Sequence, residues 1–293
     1  MDDLQAKLRR MEDISLHNTI YEDVFRLFEK IFVAREQAKQ KLPAPHVPAD
    51  RSSIPVRLHE GFTLLEKESL CPDPAALQTY FDRLLELLSS RNQESVSSVR
   101  KIISSRPDGF PGAFRSMLSE NPENYLQSLG RERHFFIFVF KECIRPLLET
   151  YTAAVKSAVS CDTWQEGSCP VCGSFPFFAE LRGEEGKRFL FCPDCAMEWC
   201  PPRMKCPFCN NEDQQKMKYF SDEAAPHYRV MVCTSCKRYL KTVDYRKSGQ
   251  KVFPEVENLA TLHLDFIAAK EGLKTEDVLT QLLVSKPPAS SEI

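Results

Sequence analysis

Hydrophobic residues in the first 160 positions recur at helical spacing. Tyr21, Val24, Phe25, Phe28, Ile31 and Phe32 form one stripe, and Leu77, Tyr80, Phe81, Leu84, Leu85 and Leu88 form a cleaner one. Each suits the core-facing side of an amphipathic helix better than a cofactor site. Pro43, Pro45, Pro48 and Pro55 lie between them and predict an extended connection, because each fixes φ and withholds a backbone donor. Residues 107–112 (PDGFPG) read as another break. Residues 134 to about 159 then read as a long apolar helix that Pro146 either kinks or divides in two.

From Cys161 onward the apolar period shortens to two. Residues 175–181 and 188–191 predict short strands around a turn at Gly183-Glu184-Glu185-Gly186. After Phe253, Pro254 suits the first position of a helix with Leu259, Leu262, Phe266 and Ala269 on one face and Gly272 as its stop, and 286–293 reads as a frayed tail. The expected fold class is α+β, with an α-helical domain (1–160), a first ribbon (161–203), a second ribbon (204–253) and a C-terminal helix and tail (254–293).

Composition narrows the function classes. With 39 basic against 41 acidic side chains in 293 residues, the chain lacks the electrostatic footprint of a dedicated nucleic-acid binder. Its longest apolar run, 134–140 (HFFIFVF), is far short of the roughly twenty residues that span a bilayer. The start, MDDLQAKLRRMEDISLHNTI, has two acids after Met1 and no apolar core, so no secretory signal and a cytoplasmic location are expected.

The twelve cysteines are the abnormal count, and ten of them fall between Cys161 and Cys236. In a reducing compartment such clustering points to metal binding or thiol chemistry rather than to a disulfide framework. Four Cys-x-x-Cys pairs occur: Cys169/Cys172, Cys192/Cys195, Cys206/Cys209 and Cys233/Cys236. The 19 residues between the first two pairs and the 23 between the last two each suit a hairpin that brings two knuckles together. Two such turns supply four thiolates to one tetrahedral site, so two four-cysteine sites follow, suited equally to zinc and to rubredoxin-type iron.

The order knuckle, strand, turn, strand, knuckle, outgoing strand occurs twice, which reads as a tandem duplication of one ribbon. Each ribbon is too small for an adequate core. Metal binding, worth about 10–16 kcal/mol in small zinc peptides, would supply the stability instead. A dithiol oxidoreductase would need one exposed pair at a helix start, whereas four pairs sit here among hairpins. Cys71, Cys143, Cys161 and Cys200, outside the pairs, are expected to be small apolar residues, and His227 and His263 structural ones.

Closed four-cysteine sites leave no position for water or substrate, and no phosphate loop, nucleophile elbow or metalloprotease motif is present, so no enzyme is expected. Residues 161–253 hold 14 Lys and Arg against 12 Asp and Glu, which favours a protein partner over nucleic acid. Lys237, Arg238, Tyr239 and Lys241 could form a small basic-aromatic patch, though a solvated strand face is the plainer reading.

Five segments resemble the family of formate dehydrogenase accessory proteins called FdhE: 164–176 (WQEGSCPVCGSFP), 188–199 (RFLFCPDCAMEW), 203–209 (RMKCPFC), 228–244 (YRVMVCTSCKRYLKTVD) and 258–265 (NLATLHLD). The resemblance covers about the last 110 residues, and the first half fits only in length and order. It implies a helical domain followed by two rubredoxin-like ribbons that hold iron or zinc on Cys169, Cys172, Cys192, Cys195, Cys206, Cys209, Cys233 and Cys236. It further implies a cytoplasmic assembly factor that binds the formate dehydrogenase catalytic subunit before export by the twin-arginine pathway. The other readings are a nucleic-acid-binding zinc ribbon and a rubredoxin-like electron-transfer protein.

Overall fold

Both predicted stripes lie on helices of the computed structural model, which describes residues 2–47, 51–66, 70, 74–119, 121–221, 223 and 225–284. Helix α1 (Asp2–His17) leads into α2 (Glu22–Lys41), which buries Phe25, Phe28, Ile31 and Phe32. The second stripe is buried along α4 (Pro74–Ser104), which is interrupted at Asn92, where φ −146° and ψ 56° leave the helical region. Residues 42–47 are extended as expected, but Pro55 belongs to the short helix α3 (Ile54–His59), in whose first turn a missing N–H leaves no bond unmade. Pro48 lies outside the described residues.

Helix α7 (Arg133–Val155) runs through Pro146 undivided and packs against α2 and α4. Aromatic rings fill the space around it. Phe81 lies 4.9 Å from Phe110, Phe114 5.6 Å from Phe140, and Tyr125 5.5 Å from Phe136. The expected break at 107–112 is shorter than predicted, because helix α5 (Gly109–Leu118) starts inside it on a glycine at φ +50°. Helix α6 (Glu123–Ser128) carries Tyr125.

The strands are β1 (Phe178–Arg182), β2 (Lys187–Phe191), β3 (Glu198–Trp199), β4 (Met217–Ser221), β5 (Tyr228–Cys233) and β6 (Arg238–Val243). Each ribbon contributes three antiparallel strands, as the repeat predicts. The two ribbons are not separate modules, however. They join in one sheet of order β3-β2-β1-β6-β5-β4 through a parallel β1–β6 ladder that sets Phe178 opposite Lys241 and Glu180 opposite Val243. Two small hairpins with little core of their own thereby share a layer.

The C-terminal part is also more divided than predicted. Pro254 opens α8 (Pro254–Ala260) and Gly272, at φ +69°, follows α9 (Leu262–Lys270) as the expected stop. Between them the chain breaks at Thr261, whose hydroxyl donates to Glu257 O at 2.7 Å and competes with the helical ladder. The break rotates the buried face, so Leu262, Leu264, Asp265 and Ala268 point inward while Phe266 and Ala269 are half-buried. Helix α10 (Val278–Val284) follows, and the tail 286–293 lies outside the described residues.

Helix α8 links the two halves through buried charge. Glu255 accepts from Arg35 of α2 at 2.7 Å, Arg145 of α7 at 2.9 Å and Lys7 of α1 at 2.9 Å. Glu142 and Glu149 complete the network around the same arginines. Burial alone would raise the carboxyls of Glu149 and Glu255, but Arg35 and Arg145 hold Glu149 down to about 2 and Glu255 well below its usual range. Glu257, fully buried, accepts from Arg10 at 2.9 Å and from Tyr245 at 3.1 Å, and also pairs with the Tyr228 hydroxyl.

Removing one member of such a network leaves its partners as uncompensated buried charge. Glu255→Gln is therefore expected to cost about 3–5 kcal/mol. Urea unfolding of the variant checks this, and an unchanged midpoint would show that Arg35 and Arg145 find other partners.

Candidate metal centres

All four Cys-x-x-Cys pairs fold into the same turn. The residue after the second cysteine is left-handed each time: Gly173 (φ +80°), Ala196 (+55°), Asn210 (+59°) and Lys237 (+56°). Backbone bonds close three of these turns, from Gly173 N to Cys169 O at 2.9 Å, Asn210 N to Cys206 O at 3.0 Å and Lys237 N to Cys233 O at 2.8 Å. In the first, Val171 N also donates to Cys169 Sγ at 3.4 Å. A left-handed backbone costs a non-glycine residue about 1–2 kcal/mol. The chain accepts that strain at three of the four turns, each of which aims two sulfurs to one side.

Cys169, Cys172, Cys192 and Cys195 form one group and Cys206, Cys209, Cys233 and Cys236 another, with the four Sγ atoms of each lying within 4.8 Å of one another. Across the first group the contacts are 3.5 Å (Cys169–Cys195) and 3.3 Å (Cys172–Cys192). Across the second they are 3.9 Å (Cys206–Cys236) and 3.7 Å (Cys209–Cys233). A metal–sulfur bond of about 2.3 Å places tetrahedral sulfurs about 3.8 Å apart, whereas a disulfide needs about 2.05 Å. The spacing fits one ion among four thiolates.

The electrostatics agree. Burial pushes the Cys169 and Cys192 thiols well up, while hydrogen bonds from Cys169, Cys192 and Cys195 pull the Cys172 thiol well down. In the second group burial raises Cys206, and raises Cys236 to about 11, whereas at Cys233 burial is opposed by hydrogen bonds from the Cys236 and Ser235 amides and from Cys206 and Cys209, which together lower it. A thiophilic cation would stabilise all four thiolates, since a coordinating thiol is deprotonated outright.

The two groups sit in unlike surroundings. The first is wrapped by the helical domain. Leu64 N donates to Pro170 O at 3.0 Å, Leu65 N to Val171 O at 2.9 Å, and Tyr151 of α7 fixes that strap by donating to Leu64 O at 2.8 Å. Lys141 of α7 reaches Asp194 in the second knuckle at 2.8 Å, and Ser174 donates to the same carboxylate at 2.6 Å. The second group lies nearer solvent and Cys209 is exposed. Phe175 and Phe208 pack 5.8 Å apart beside it under the Arg238 guanidinium. The ribbons meet closely at Gly167, where a Cβ would lie 2.0 Å from Pro207 O.

Two expectations are corrected. Cys161 and Cys200 are not isolated apolar residues: they form a disulfide with Cα atoms 5.2 Å apart, tying the segment after α7 to the exit of β3. They flank the first ribbon on both sides, which is the sequence signal that the pairing follows. Tyr239 and Lys241 are buried rather than parts of a basic patch or a solvated face. Lys241 reaches Asp265 of α9 at 2.5 Å and the Asn258 carbonyl at 2.8 Å, and Tyr239 donates to Asp265 at 2.8 Å. Cys143 is a buried residue donating to Leu77 O at 3.5 Å, in line with its apolar reading, and Cys71 lies outside the described residues. His263 bonds Tyr21 at 2.6 Å and His227 stacks near Tyr228 and Tyr245, so neither joins a sulfur cluster.

A helical domain carrying two fused ribbons, each with four cysteines gathered as a metal ion would require, defines the class of protein. Family models match its second half: "FdhE, central domain" over 168–203 and "FdhE, C-terminal domain" over 204–282. The FdhE homolog of Aquifex aeolicus is 34% identical over 141 residues, 47% of this chain and 48% of its own length. The FdhE protein of Escherichia coli K12 is 34% identical over 111 residues, 37% of this chain and 35% of its own. The chain thus matches about half or less of the length of these relatives. The crystal structure of the FdhE protein from Pseudomonas aeruginosa superposes over 92% of both chains with a TM-score of 0.66 at 19% identity, a likeness of fold. Residues 168–282 are thus similar to the central and C-terminal domains of FdhE, and the chain as a whole shares the FdhE fold.

Because Lys237 carries a conformational penalty that glycine would not, Lys237→Gly is expected to stabilise the second ribbon by up to about 1 kcal/mol. Thermal unfolding checks it, and a destabilised variant would mean that the Lys237 side chain holds more than its turn.

Proposed function

We propose that this chain is an accessory factor for formate dehydrogenase that holds two metal ions, iron or zinc, and binds the immature catalytic subunit in the cytoplasm before export. The likeness of residues 168–282 to FdhE supports the accessory role. The observation that carries the reading is the gathering of four cysteine sulfurs in each group, which would leave a four-coordinate ion no open position and favours a platform over a reaction centre. Among the described residues no helix is long and apolar enough to cross a membrane. The working units are 1–160, 161–203, 204–253 and 254–293, with the shared sheet joining the middle two.

The ligands we assign are Cys169, Cys172, Cys192 and Cys195 at the first site and Cys206, Cys209, Cys233 and Cys236 at the second. The metals would hold the ribbons folded, while the helical domain contributes the rest of the client surface. Electron transfer is a second reading, favoured by the exposure of Cys209 at the second site. It requires iron and a reversible bleaching of the ferric-thiolate colour. Nucleic-acid binding is less favoured, since Tyr239 and Lys241 are occupied internally.

Cys169→Ala and Cys233→Ala are each expected to lose one metal ion per chain and to destabilise the ribbon concerned. Elemental analysis of protein purified without air checks this, and full metal content in either variant removes that cysteine from the ligand set. A strain lacking the protein is expected to make formate dehydrogenase polypeptide without normal activity, and the chain should co-purify with the catalytic subunit. Normal activity in that strain would reject the assembly role.

A further inference from the structure

Beside the second sulfur group, the sheet and the 202–205 loop form a cleft of about 430 Å³ lined by Arg188, Arg203 and Arg229 together with Met204, Tyr219 and Met231. Among the described residues that line it, none is acidic. Arg188, on β2, is 3% exposed and meets no carboxylate. Its guanidinium donates to Pro202 O at 3.0 Å, Lys205 O at 2.8 Å and Met231 Sδ at 3.3 Å, and its Nε has no partner. A buried arginine is ordinarily paired, because desolvating the ion costs several kcal/mol.

Among the described residues no carboxylate pairs with it, although the Cys206 sulfur and the Tyr219 hydroxyl act on it electrostatically. Arg203 donates only to the Glu185 carbonyl, at 3.1 Å. Arg229 approaches Asp244 at 3.4 Å, but that carboxylate is already held by two bonds of 2.8 Å from Arg246. Among the described lining residues the cleft therefore sets three arginines against no carboxylate, beside exposed apolar surface, with Tyr219 at 54% and Met204 at 41% exposure.

We propose that this cleft is a binding site for a carboxylate group borne on a peptide segment of a partner protein. Guanidinium groups match carboxylate oxygens, and the tyrosine and methionine side chains would cover an apolar neighbour of the acid. A polyphosphate backbone fits poorly. The β1–β2 and β4–β5 turns beside the cleft carry exposed Glu184, Glu185 and Glu223, which repel an extended polyanion yet leave room for a single charge. The site does not depend on which enzyme the chain serves.

Titration calorimetry on the metal-loaded full chain tests it, using a blocked tripeptide with glutamate between two leucines, its glutamine analogue, inorganic phosphate and an oligouridylate. The glutamate peptide is expected to saturate one site and to bind at least about tenfold more tightly than the glutamine peptide. Arg203→Gln combined with Arg229→Gln should weaken it by at least about tenfold with metal content and unfolding midpoint unchanged. These two half-exposed positions keep the test valid if Arg188→Met loosens the 202–205 loop. No saturable binding at millimolar peptide, equal binding of both peptides, indifference to the arginine substitutions, or preference for phosphate or oligouridylate would each overturn the proposal.

Discussion

Four sulfurs gathered in a dry space constrain everything around them. Neutral thiols are weak hydrogen-bonding groups, and four thiolates repel one another, so such a cluster favours neither extreme of protonation without a cation. The chain nevertheless accepts strain to assemble two of them, with Ala196, Asn210 and Lys237 held left-handed. The buried cysteines belong to the same apolar cluster as the core of the helical domain. Whatever satisfies the sulfurs therefore also completes the core, and ribbon and helical domain are thermodynamically joined.

The two groups stand in different relations to that core. Around the first, the 64–65 strap, Tyr151, Lys141 and Asp194 bind the knuckles to α7. The second has its aromatic cover on one side and an exposed cysteine on the other. One site is built into the junction of the halves, and the other is presented outward. A duplicated ribbon has diverged here by context while its turns kept one geometry.

Much of this was legible in the sequence, and the limits have physical causes. Helical stripes such as the one on α4 are legible because a buried face repeats every 3.6 residues, and the knuckles because metal geometry demands fixed spacing. The parallel β1–β6 ladder was not, since parallel pairing leaves no local turn signal. The Cys161–Cys200 pairing was obscured by the expectation of reduced thiols. Lys241 and Tyr239 looked solvent-facing because charge in a strand suggests an outer surface, yet Asp265, 24 positions away from Lys241, supplies a buried partner. The break at Thr261 had only one hydroxyl to announce it.

The fused sheet gives the duplication its mechanical consequence. A three-stranded ribbon alone exposes both edges, each a template for unwanted pairing. Joining β1 to β6 consumes one edge of each copy and leaves outside only β4 and the two-residue β3. Strand residues of this shared layer, including Phe178, Val230 and Val243, pack with Leu264 and Ala268 of α9. Helix α8 then fixes that layer to α1, α2 and α7 through Glu255 and Glu257, so the outward-facing site is positioned by the helical domain even though it touches little of it. The geometry of that surface is set by buried ion pairs as much as by the sulfur groups.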